Sequence, residues 1–372
     1  MDSGGQVDAI FTDFSKAFDR IDHILLLRKL LLAGVHGNLF RWFTSYIENR
    51  SQAVVVNGFS SCWTNIPSGV PQGSLLGPLL FNIFINDVCT CFKHSKFLLY
   101  ADDMKIFKNI CSYDDSRFLQ EDLDRFEQYC SLNRLDLNIA KCNFICFTRK
   151  RKPLCSAYYL KGQELKEVEE IRDLGIIHDT KLTYEIHSNG FFIMRTCSQF
   201  NDIKVPKILF CSLVRSTLEY CSQVWNPRYK VHSDRLESVQ RRFVRFLQYR
   251  CGIRVSDYET RCRRFHILPL KERRAIADII FLVKIAQNHI DSPELLSKLC
   301  LKVPSRTVRL PVYLNIPRCS TNYRQNSFFL RSAYELNKLV TIPELDMFNS
   351  KPNLFRDTLA KSWFDGSFSC LM

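Results

Sequence analysis

The sequence lacks an apolar run long enough to cross a lipid bilayer. The run Leu25–Leu32 is interrupted by Arg28 and Lys29. The run around Ile279–Ile285 is much shorter than the roughly 20 residues that a membrane span needs. No secretory signal peptide is apparent at the start of the sequence either. We therefore expect an intracellular protein, in the cytoplasm or the nucleus, that is not secreted and has no membrane partner.

The sequence also lacks a set of cysteines and histidines with the spacing of a zinc site. Its 16 cysteines are scattered along the chain. Cys142 and Cys146 are close in sequence, as are Cys89 and Cys91, but no further ligand completes either pair. We expect reduced thiols along the chain, and we expect the four cysteines of these two pairs to pack in the core. Internal repeats and low-complexity segments are absent too, which argues against a solenoid.

What the sequence does contain is material for a large core and an uneven distribution of charge. Hydrophobic residues make up 46% of the sequence and aromatic residues 13%, which is enough for a large core. The length of 372 residues is enough for two or three domains. Residues 1–150 carry 16 Lys and Arg against 16 Asp and Glu, whereas residues 151–372 carry 36 against 22. The net charge of +14 therefore lies in the second part, which favours a polyanionic partner over a merely basic surface.

The hydrophobic pattern predicts an α+β first part and a helical second part. A buried strand is predicted over Val7–Phe11 and a helix from Asp22. The segment "RSQAVVVNG" predicts a strand that ends in an Asn57–Gly58 turn, and "FLLYADDMKIF" predicts a hairpin. From about residue 183 to 290 the period is helical.

Three carboxylates occur where strands end or turn, namely Asp13, Asp102 and Asp103. If the first strand and the hairpin are neighbours in a sheet, these acids face one another and repel. A divalent cation between them would remove this repulsion. Magnesium prefers oxygen ligands and substrate phosphates, so the pattern favours a magnesium site. The alternative is an ordinary polar turn, because aspartate is a common turn residue.

At this point the chain resembles the reverse transcriptases of non-LTR retrotransposons of the jockey type. The resemblance rests on five segments in the order and spacing of that family. They are "FTDFSKAFD" (motif A), "SGVPQGSLLGPLLFNIFIND" (motif B), "YADD" (motif C), "LNIAKCNFICF" (motif D) and "DLGI" (motif E). The later segments "SLVRSTLEYCSQVWNP" and "VQRRFVRFL" are also similar to those elements. "YADD" alone is weak, whereas the motif B segment and the ordered set are highly specific.

The resemblance implies a right-hand polymerase fold. The expected domains are a palm over 1–178 with an antiparallel sheet backed by helices, a basic helical thumb or connection over 179–292, and a C-terminal extension over 293–372 with no assigned role. Only 12 residues precede Asp13. We therefore expect the fingers to be largely missing, as in an N-terminally truncated copy.

The resemblance also implies a catalytic site with two magnesium ions, for which manganese can substitute. Asp13 and Asp102 would bind the metals, with Asp103 as the supporting acid and the backbone carbonyl of Phe14 as a further ligand. Lys141 corresponds to the proposed general acid for pyrophosphate departure. A solvated surface lysine is an equally open alternative for Lys141.

Nucleotide and primer contacts follow from the same motifs. Phe18 falls at the steric-gate position, where a large ring blocks a 2′-hydroxyl, although a core phenylalanine is the alternative. Gln72 and Gly73 would contact the incoming deoxynucleotide and the template base, and Tyr100 would lie near the primer end. The turn formed by Leu174 and Gly175 resembles the primer grip.

The basic helices of the second part would bind the RNA–DNA duplex. Between residues 228 and 274 there are 14 Lys and Arg against 5 Asp and Glu, and Arg241, Arg242 and Arg245 are candidate phosphate contacts. A solvated helix face is the alternative. The sequence thus predicts an RNA-directed DNA polymerase that uses an RNA template, a DNA primer and deoxynucleotides, with no evident protein partner. An inactive remnant that only binds nucleic acid is the competing prediction.

Overall fold

The computed structural model describes residues 5–184, 202–227, 229–302, 312–319, 321–342 and 344–366. The chain divides into two compact units, with the boundary between Ile171 and Arg172. We describe each unit by itself. The part of the predicted helical range that covers 185–201 lies outside the described residues.

The first unit mixes strands and helices. Its helices are α1 (His23–Leu32), α2 (Gly37–Ile47), α3 (Leu76–Ile85) and α4 (Tyr113–Leu132). Its strands are β1 (Gln6–Thr12), β2 (Arg50–Gln52), β3 (Val55–Val56), β4 (Phe59–Ser60), β5 (Thr64–Ile66), β6 (Lys96–Tyr100), β7 (Asp103–Asn109), β8 (Asn143–Thr148), β9 (Tyr159–Leu160), β10 (Gln163–Glu164) and β11 (Lys166–Glu167). Short 3₁₀ segments follow α3 at Asn86–Cys91 and precede β8 at Ile139–Lys141.

A five-stranded sheet with the order β11-β8-β1-β7-β6 forms the centre of this unit. β1 pairs antiparallel with both β7 and β8, and only the short β11 runs parallel to its neighbour. One face of the sheet is apolar because alternate residues such as Ile10, Met104 and Ile106 are buried. The predicted strand and hairpin are therefore confirmed, and the sheet places the end of β1 beside the start of β7.

Helices cover the apolar face of the sheet. α4 contacts β7, and α1 packs on α2 and α3. Asp22 begins α1 by accepting a hydrogen bond from the amide of Leu25, and Leu26 and Leu30 turn inward one helical turn apart. α4 begins with a capping box formed by Ser112 and Asp115. The expected mixture of an antiparallel sheet with helices is thus present, while the palm assignment stays a prediction.

The predicted strand over "RSQAVVVNG" is wrong as a single element. β2 pairs with β5, whereas β3 pairs with β4. The chain therefore changes partner between Gln52 and Val55. The predicted turn is confirmed, because Asn57 and Gly58 both have positive φ, as a tight two-residue hairpin turn requires.

The second unit is helical after one hairpin. The hairpin consists of β12 (Glu170–Asp173), which begins just before the boundary, and β13 (Ile176–Asp179). The helices are α5 (Lys204–Leu209), α6 (Ser216–Glu219), α7 (Ser222–Trp225), α8 (Lys230–Arg250), α9 (Tyr258–Arg264), α10 (Leu270–Ala286), α11 (Pro293–Leu296), α12 (Asn322–Gln325), α13 (Phe328–Lys338) and α14 (Pro352–Phe364). A π-helical segment, Phe210–Arg215, joins α5 to α6.

α10 is the central helix of this unit and contacts α7, α8, α13 and α14. Its residues Ile279, Leu282 and Val283 are buried in a core that also contains Trp225 and Trp363. No helix of the described ranges is both long and apolar enough to cross a membrane.

The cysteines of the described ranges are free thiols. Cys91, Cys142 and Cys146 are buried, as predicted for thiols that pack in the core. The prediction is wrong for Cys89, which is exposed on the 3₁₀ segment after α3.

Candidate active site

The carboxylate of Asp13 lies at the end of β1, beside the start of β7. Thr12 is paired with Met104 in the antiparallel register. Continuing this register by one residue places Asp13 opposite Asp103. The structure therefore brings the motif A and motif C segments together at one edge of the sheet.

The backbone of Asp13 is fixed by the segment that precedes β8. The carbonyl of Asp13 accepts a hydrogen bond from the amide of Asn138 at 2.8 Å. The amide of Asp13 points to the sulfur of Cys142 at 3.5 Å, and the amide of Ser15 donates to the carbonyl of Asp136 at 2.7 Å. The main chain around Asp13 is thus held on both sides, which leaves only its side chain free to adjust.

The side chain of Asp13 has one oxygen without a hydrogen bond. Its Oδ2 atom is buried and accepts no hydrogen bond, and the Nζ atom of Lys141 lies 3.5 Å away. The Asp13 side chain is 35% exposed and that of Lys141 is 68% exposed, so the ion pair is open to solvent on the lysine side. A carboxylate oxygen that lacks a donor is suited to a cation.

The hairpin β6–β7 carries the other two acids. Tyr100 pairs with Asp103, so the two turn residues are Ala101 and Asp102. Ala101 has φ of 52°, a left-handed conformation that costs a residue with a side chain about 1–2 kcal/mol. Asp103 is the exposed first residue of β7, so only one of the two adjacent acids lies in the turn. The sequence had suggested that both do.

The arrangement of the His, Cys, Asp and Glu side chains bears on metal binding. Within the described ranges, no group of three or more His, Cys, Asp or Glu side chains is arranged to hold a metal ion. The unsatisfied oxygen of Asp13 and the adjacent acidic position Asp103 fit a magnesium ion that takes one or two carboxylates, with water or substrate completing its shell. The predicted metal roles of Asp13, Asp102, Asp103 and the Phe14 carbonyl stay predictions.

A cavity of about 520 Å³ adjoins the turn of the hairpin. Motif A contributes Phe18, whose ring stacks on Phe81 with 4.6 Å between ring centroids. The rest of the lining comes from motif B and the β6–β7 hairpin, namely Pro78, Asn82, Ile85, Asn86, Leu99, Tyr100 and Ala101. Phe18 and Tyr100, two predicted nucleotide contacts, therefore line the same cavity.

Gln72 and Gly73 are placed differently from Phe18 and Tyr100. Neither is among the described residues that line this cavity. The Nε2 atom of Gln72 donates to the Oδ1 atom of Asp19 at 2.7 Å, in motif A. Gly73 is exposed with φ of 77°, and no protein atom lies within 4 Å of where a Cβ would stand. A glycine therefore suits the backbone conformation at this position, and the space where a Cβ would stand is open.

Sequence analysis missed Gly69, which joins motif B to motif A. A Cβ on Gly69 would lie 2.7 Å from the carbonyl oxygen of Asp19, so only glycine fits. The carbonyl of Gly69 contacts Nε2 of His23 at 2.8 Å, and the amide of Val70 donates to the carbonyl of Phe18. The only sequence signal for this close approach is a glycine in a loop.

Asn82 and Asn86 were missed as well. Both are exposed, one at the solvent side of α3 and the other at its end. Their spacing of four residues puts them on one face of the helix, which is the only sequence signal that could have paired them. Exposed asparagines on a helix are ordinary, so that signal is weak.

The predicted primer-grip residues lie in the second unit, at the turn between β12 and β13. Leu174 and Gly175 both have positive φ. The hydroxyl of Tyr220 donates to the carbonyl of Leu174 at 3.1 Å, and its ring would touch a Cβ on Gly175 at 3.4 Å. The turn is therefore anchored on Tyr220.

The three predicted duplex contacts lie on α8 and differ in their surroundings. Arg241 is 3.8 Å from Asp234, and its guanidinium lies 5.2 Å from the ring centroid of Tyr258. Arg242 and Arg245 are exposed. The buried face of α8 contains Leu236, Phe243 and Leu247, which agrees with the predicted helical period of this range.

Three relatives and one solved structure show what the chain resembles. The probable RNA-directed DNA polymerase from transposon X-element of Drosophila melanogaster is 25% identical over 266 residues, which cover 66% of this chain and 29% of that protein. The RNA-directed DNA polymerase from mobile element jockey of Drosophila funebris is 29% identical, over 63% of this chain and 28% of that protein. The probable RNA-directed DNA polymerase from transposon BS of Drosophila melanogaster is 30% identical, over 64% and 28%. This chain thus matches less than a third of the length of these relatives.

Among solved structures, the telomerase of Candida tropicalis in complex with a fragment of telomeric RNA overlaps with a TM-score of 0.41 and 11% identity, over 95% of this chain and 49% of that chain. Residues 3–178 match the family described as reverse transcriptase (RNA-dependent DNA polymerase). The resemblance drawn from the motifs is confirmed, because residues 3–178 are similar to the reverse transcriptase family and the chain is similar to RNA-directed DNA polymerases of mobile elements, jockey among them.

Proposed function

We propose that this chain is an RNA-directed DNA polymerase that adds deoxynucleotides to the 3′-hydroxyl of a primer on an RNA template. The observation that carries the proposal is the meeting of motifs A, B and C around one cavity, next to the turn that contains Asp102. The cavity has a volume typical of small-molecule sites, which span roughly 300–1,000 Å³.

In this proposal Asp13, Asp102 and Asp103 would hold two magnesium ions, with the Phe14 carbonyl as a further ligand. The chemistry supplied at these residues would be activation of the primer hydroxyl and stabilisation of negative charge on the leaving pyrophosphate. Lys141, which lies within reach of Asp13, would deliver the proton to the leaving group. Its exposed, flexible side chain is suitable for such a movement.

Other residues would bind and select the substrates. Phe18 would exclude a 2′-hydroxyl from the cavity, and Tyr100 would contact the nucleotide beside the primer end. Gln72 and Gly73 would contact the nucleotide and the template base from the open surface of the motif B loop. The Leu174–Gly175 turn would position the primer.

We further propose that residues 1–178 form the palm, 179–292 the thumb and 293–372 a C-terminal extension. Arg241, Arg242 and Arg245 of α8 would contact the phosphates of the RNA–DNA duplex. Contacts to phosphates carry no sequence information, so the protein would accept many templates.

Primer extension on an RNA template tests the proposal. We expect magnesium-dependent extension by the wild type and a loss of roughly a hundredfold or more in Asp102→Asn. Asp114→Asn is the matched control, because Asp114 is an exposed acid on α4 whose one ion pair within the described residues is with Arg117, and it should extend like the wild type. Absence of extension by the wild type, with salt-sensitive duplex binding retained, would instead support the remnant that only binds nucleic acid.

A further inference from the structure

The cavity beside the β6–β7 hairpin has few polar side chains. Among the described residues that line it, only Asn82, Asn86 and Tyr100 have polar side chains, and none has a charged one. The remaining side chains of the lining are apolar and include Phe18, Ile85 and Leu99. In a site of this kind the few polar groups determine which ligand binds and how it is oriented.

The two asparagines are available for a ligand. Both side chains are exposed, and neither carboxamide makes a hydrogen bond to another described residue. Each carboxamide has two donor hydrogens and an acceptor oxygen. Because the residues are four apart, both side chains project from one face of α3.

The helix that carries them is firmly held. Its opposite face buries Leu80, Phe81 and Phe84 in the core of the first unit. At its end, the Nζ atom of Lys29 donates to the carbonyl of Phe84 and to Asp87. Groups mounted on such a helix keep their positions when a ligand binds, which favours selective recognition.

The charge of the lining limits what part of a nucleotide these groups would contact. A triphosphate carries several negative charges and needs cations, which the described cavity lining does not supply. Neutral carboxamides match the neutral part of a nucleotide, namely the edge of the base or the hydroxyl of the sugar.

We infer that Asn82 and Asn86 are specificity-determining residues that hydrogen-bond the nucleoside part of the incoming deoxynucleotide. This inference rests on the proposed function, since it assigns the occupant of the cavity as the deoxynucleotide. The triphosphate would lie outside the apolar part of the cavity, toward the magnesium ions that the proposed function assigns to Asp13 and the acids of the hairpin. Loss of either carboxamide would weaken nucleotide binding and leave the affinity for the primer and template unchanged.

The test is an equilibrium measurement that needs no turnover. A primer that ends in a dideoxynucleotide is annealed to an RNA template and bound to the protein. The next complementary deoxynucleotide is then titrated. The quantity measured is the fraction of the protein–primer–template complex that survives the addition of excess competitor nucleic acid. Asn82→Leu and Asn86→Leu keep the branched shape of the side chain and remove the hydrogen-bonding groups. Each should raise the Kd of the deoxynucleotide roughly two- to tenfold, as expected for one neutral hydrogen bond. Asn65→Leu, an exposed asparagine on β5 that is not among the described lining residues, is the matched control.

The outcomes separate this inference from the proposed function. If the wild type traps the deoxynucleotide and both leucine variants do so with an unchanged Kd, the inference is overturned and the proposed function stands. If the wild type traps no complementary deoxynucleotide, both fail. Repeating the titration with a dideoxynucleotide locates the contact: an effect that persists supports the base edge, and an effect that disappears supports the 3′-hydroxyl.

Discussion

At the scale of single residues, Asp13 combines a fixed main chain with an incompletely satisfied carboxylate. Its carbonyl accepts a hydrogen bond and its amide faces the Cys142 sulfur. These contacts fix the backbone position from which the side chain extends. The ammonium of Lys141 is the cation beside its Oδ2 atom. A divalent ion that binds Asp13 would therefore compete with Lys141 for the same oxygen.

This competition predicts tighter metal binding when Lys141 is replaced. In Lys141→Met we expect the Kd for Mn²⁺ to fall roughly two- to fivefold, because an exposed ion pair contributes about 0.2–1 kcal/mol and no longer has to be broken. Electron paramagnetic resonance of free Mn²⁺ measures the change. Lys161→Met is the control, because its ammonium lies 3.8 Å from Asp136 rather than at Asp13. An unchanged or higher Kd in Lys141→Met would contradict this interpretation.

Phe18 permits a second test at this scale. Phe18→Val replaces the ring that lines the cavity with a smaller group. The kcat/KM for ribonucleotides relative to that for deoxynucleotides should therefore rise roughly tenfold or more. Phe18→Tyr keeps the ring and should retain the selectivity of the wild type. The role would be refuted by an active Phe18→Val enzyme whose sugar selectivity is unaltered.

Single residues also show how far the sequence leads. The motifs located Asp13, Phe18 and Tyr100 by position alone, and the structure brings these segments together at one sheet edge and one cavity. Asn82 and Asn86 could not be identified in this way, because an exposed asparagine looks the same whether it faces water or a ligand. Their relevance depends on the cavity, which long-range packing creates.

At the scale of elements, α4 supports the loop that leads into the β6–β7 hairpin. The buried carboxylate of Asp122 accepts hydrogen bonds from the amides of Lys93, His94 and Ser95, just before β6, and from Arg125. Without that carboxylate, three amides of this loop would lose their acceptor. The orientation of β6, and with it the turn at Asp102, therefore depends on one acid that belongs to none of the motifs.

Replacing Asp122 with alanine should destabilise the first unit by about 3 kcal/mol, since buried donors lose their acceptor. Urea denaturation measures the loss. Asp124→Ala is the control on the same helix, where an exposed acid accepts a hydrogen bond from Gln120, and a change within about 0.5 kcal/mol is expected. Equal losses in the two variants would show that the amide contacts contribute nothing.

The same acid predicts a pH dependence. Burial raises the pKa of Asp122, but the hydrogen bonds from the amides of Lys93, His94 and Ser95 outweigh it, and the pKa lies below the usual 3.8. The contribution is therefore present above about pH 4 and is lost as the pH falls through the lowered folded-state pKa. Urea denaturation from pH 6 to 3 should show this loss in the wild type and a smaller one in Asp122→Ala. Parallel profiles would exclude Asp122 as its source.

α8 carries the prediction for duplex binding. Arg242→Ala and Arg245→Ala should each weaken binding to an RNA–DNA duplex and lower the slope of log K against log salt by about 1. Arg241→Ala should change the slope less, because this guanidinium is half-buried against Tyr258 and near Asp234. Salt titrations of duplex affinity measure all three slopes. Identical slopes for the three variants would argue against a specific exposed face.

Elements with strong local patterns could be predicted from the sequence. β1, α1 and α8 follow the alternation or helical periodicity of their apolar residues, and the helix cap at Asp22 was readable. The change of partner between β2 and β3 could not be predicted, because it depends on pairing with β5 and β4 further along the chain. The position of Asp103 in β7 likewise follows from the hairpin register, which composition does not specify.

At the scale of the whole molecule, the two units carry different parts of the proposed function. The first unit contains the motif A, B, C and D residues and an even balance of charge over residues 1–150. The second contains the Leu174–Gly175 turn and the arginines of α8. In the proposed function, the first unit would carry out nucleotide addition and the second would bind nucleic acid. The excess of basic residues in the second part of the sequence had suggested such a polyanionic partner.

The most direct test of the central claim is the sequence of the DNA that the wild-type chain makes. A DNA primer is annealed to RNA templates of different sequence, and the products formed with Mg²⁺ and all four deoxynucleotides are sequenced. We predict extension complementary to each template, with the dependence on Asp102 described above. Absence of extension, or the same untemplated additions on every template, would contradict the account.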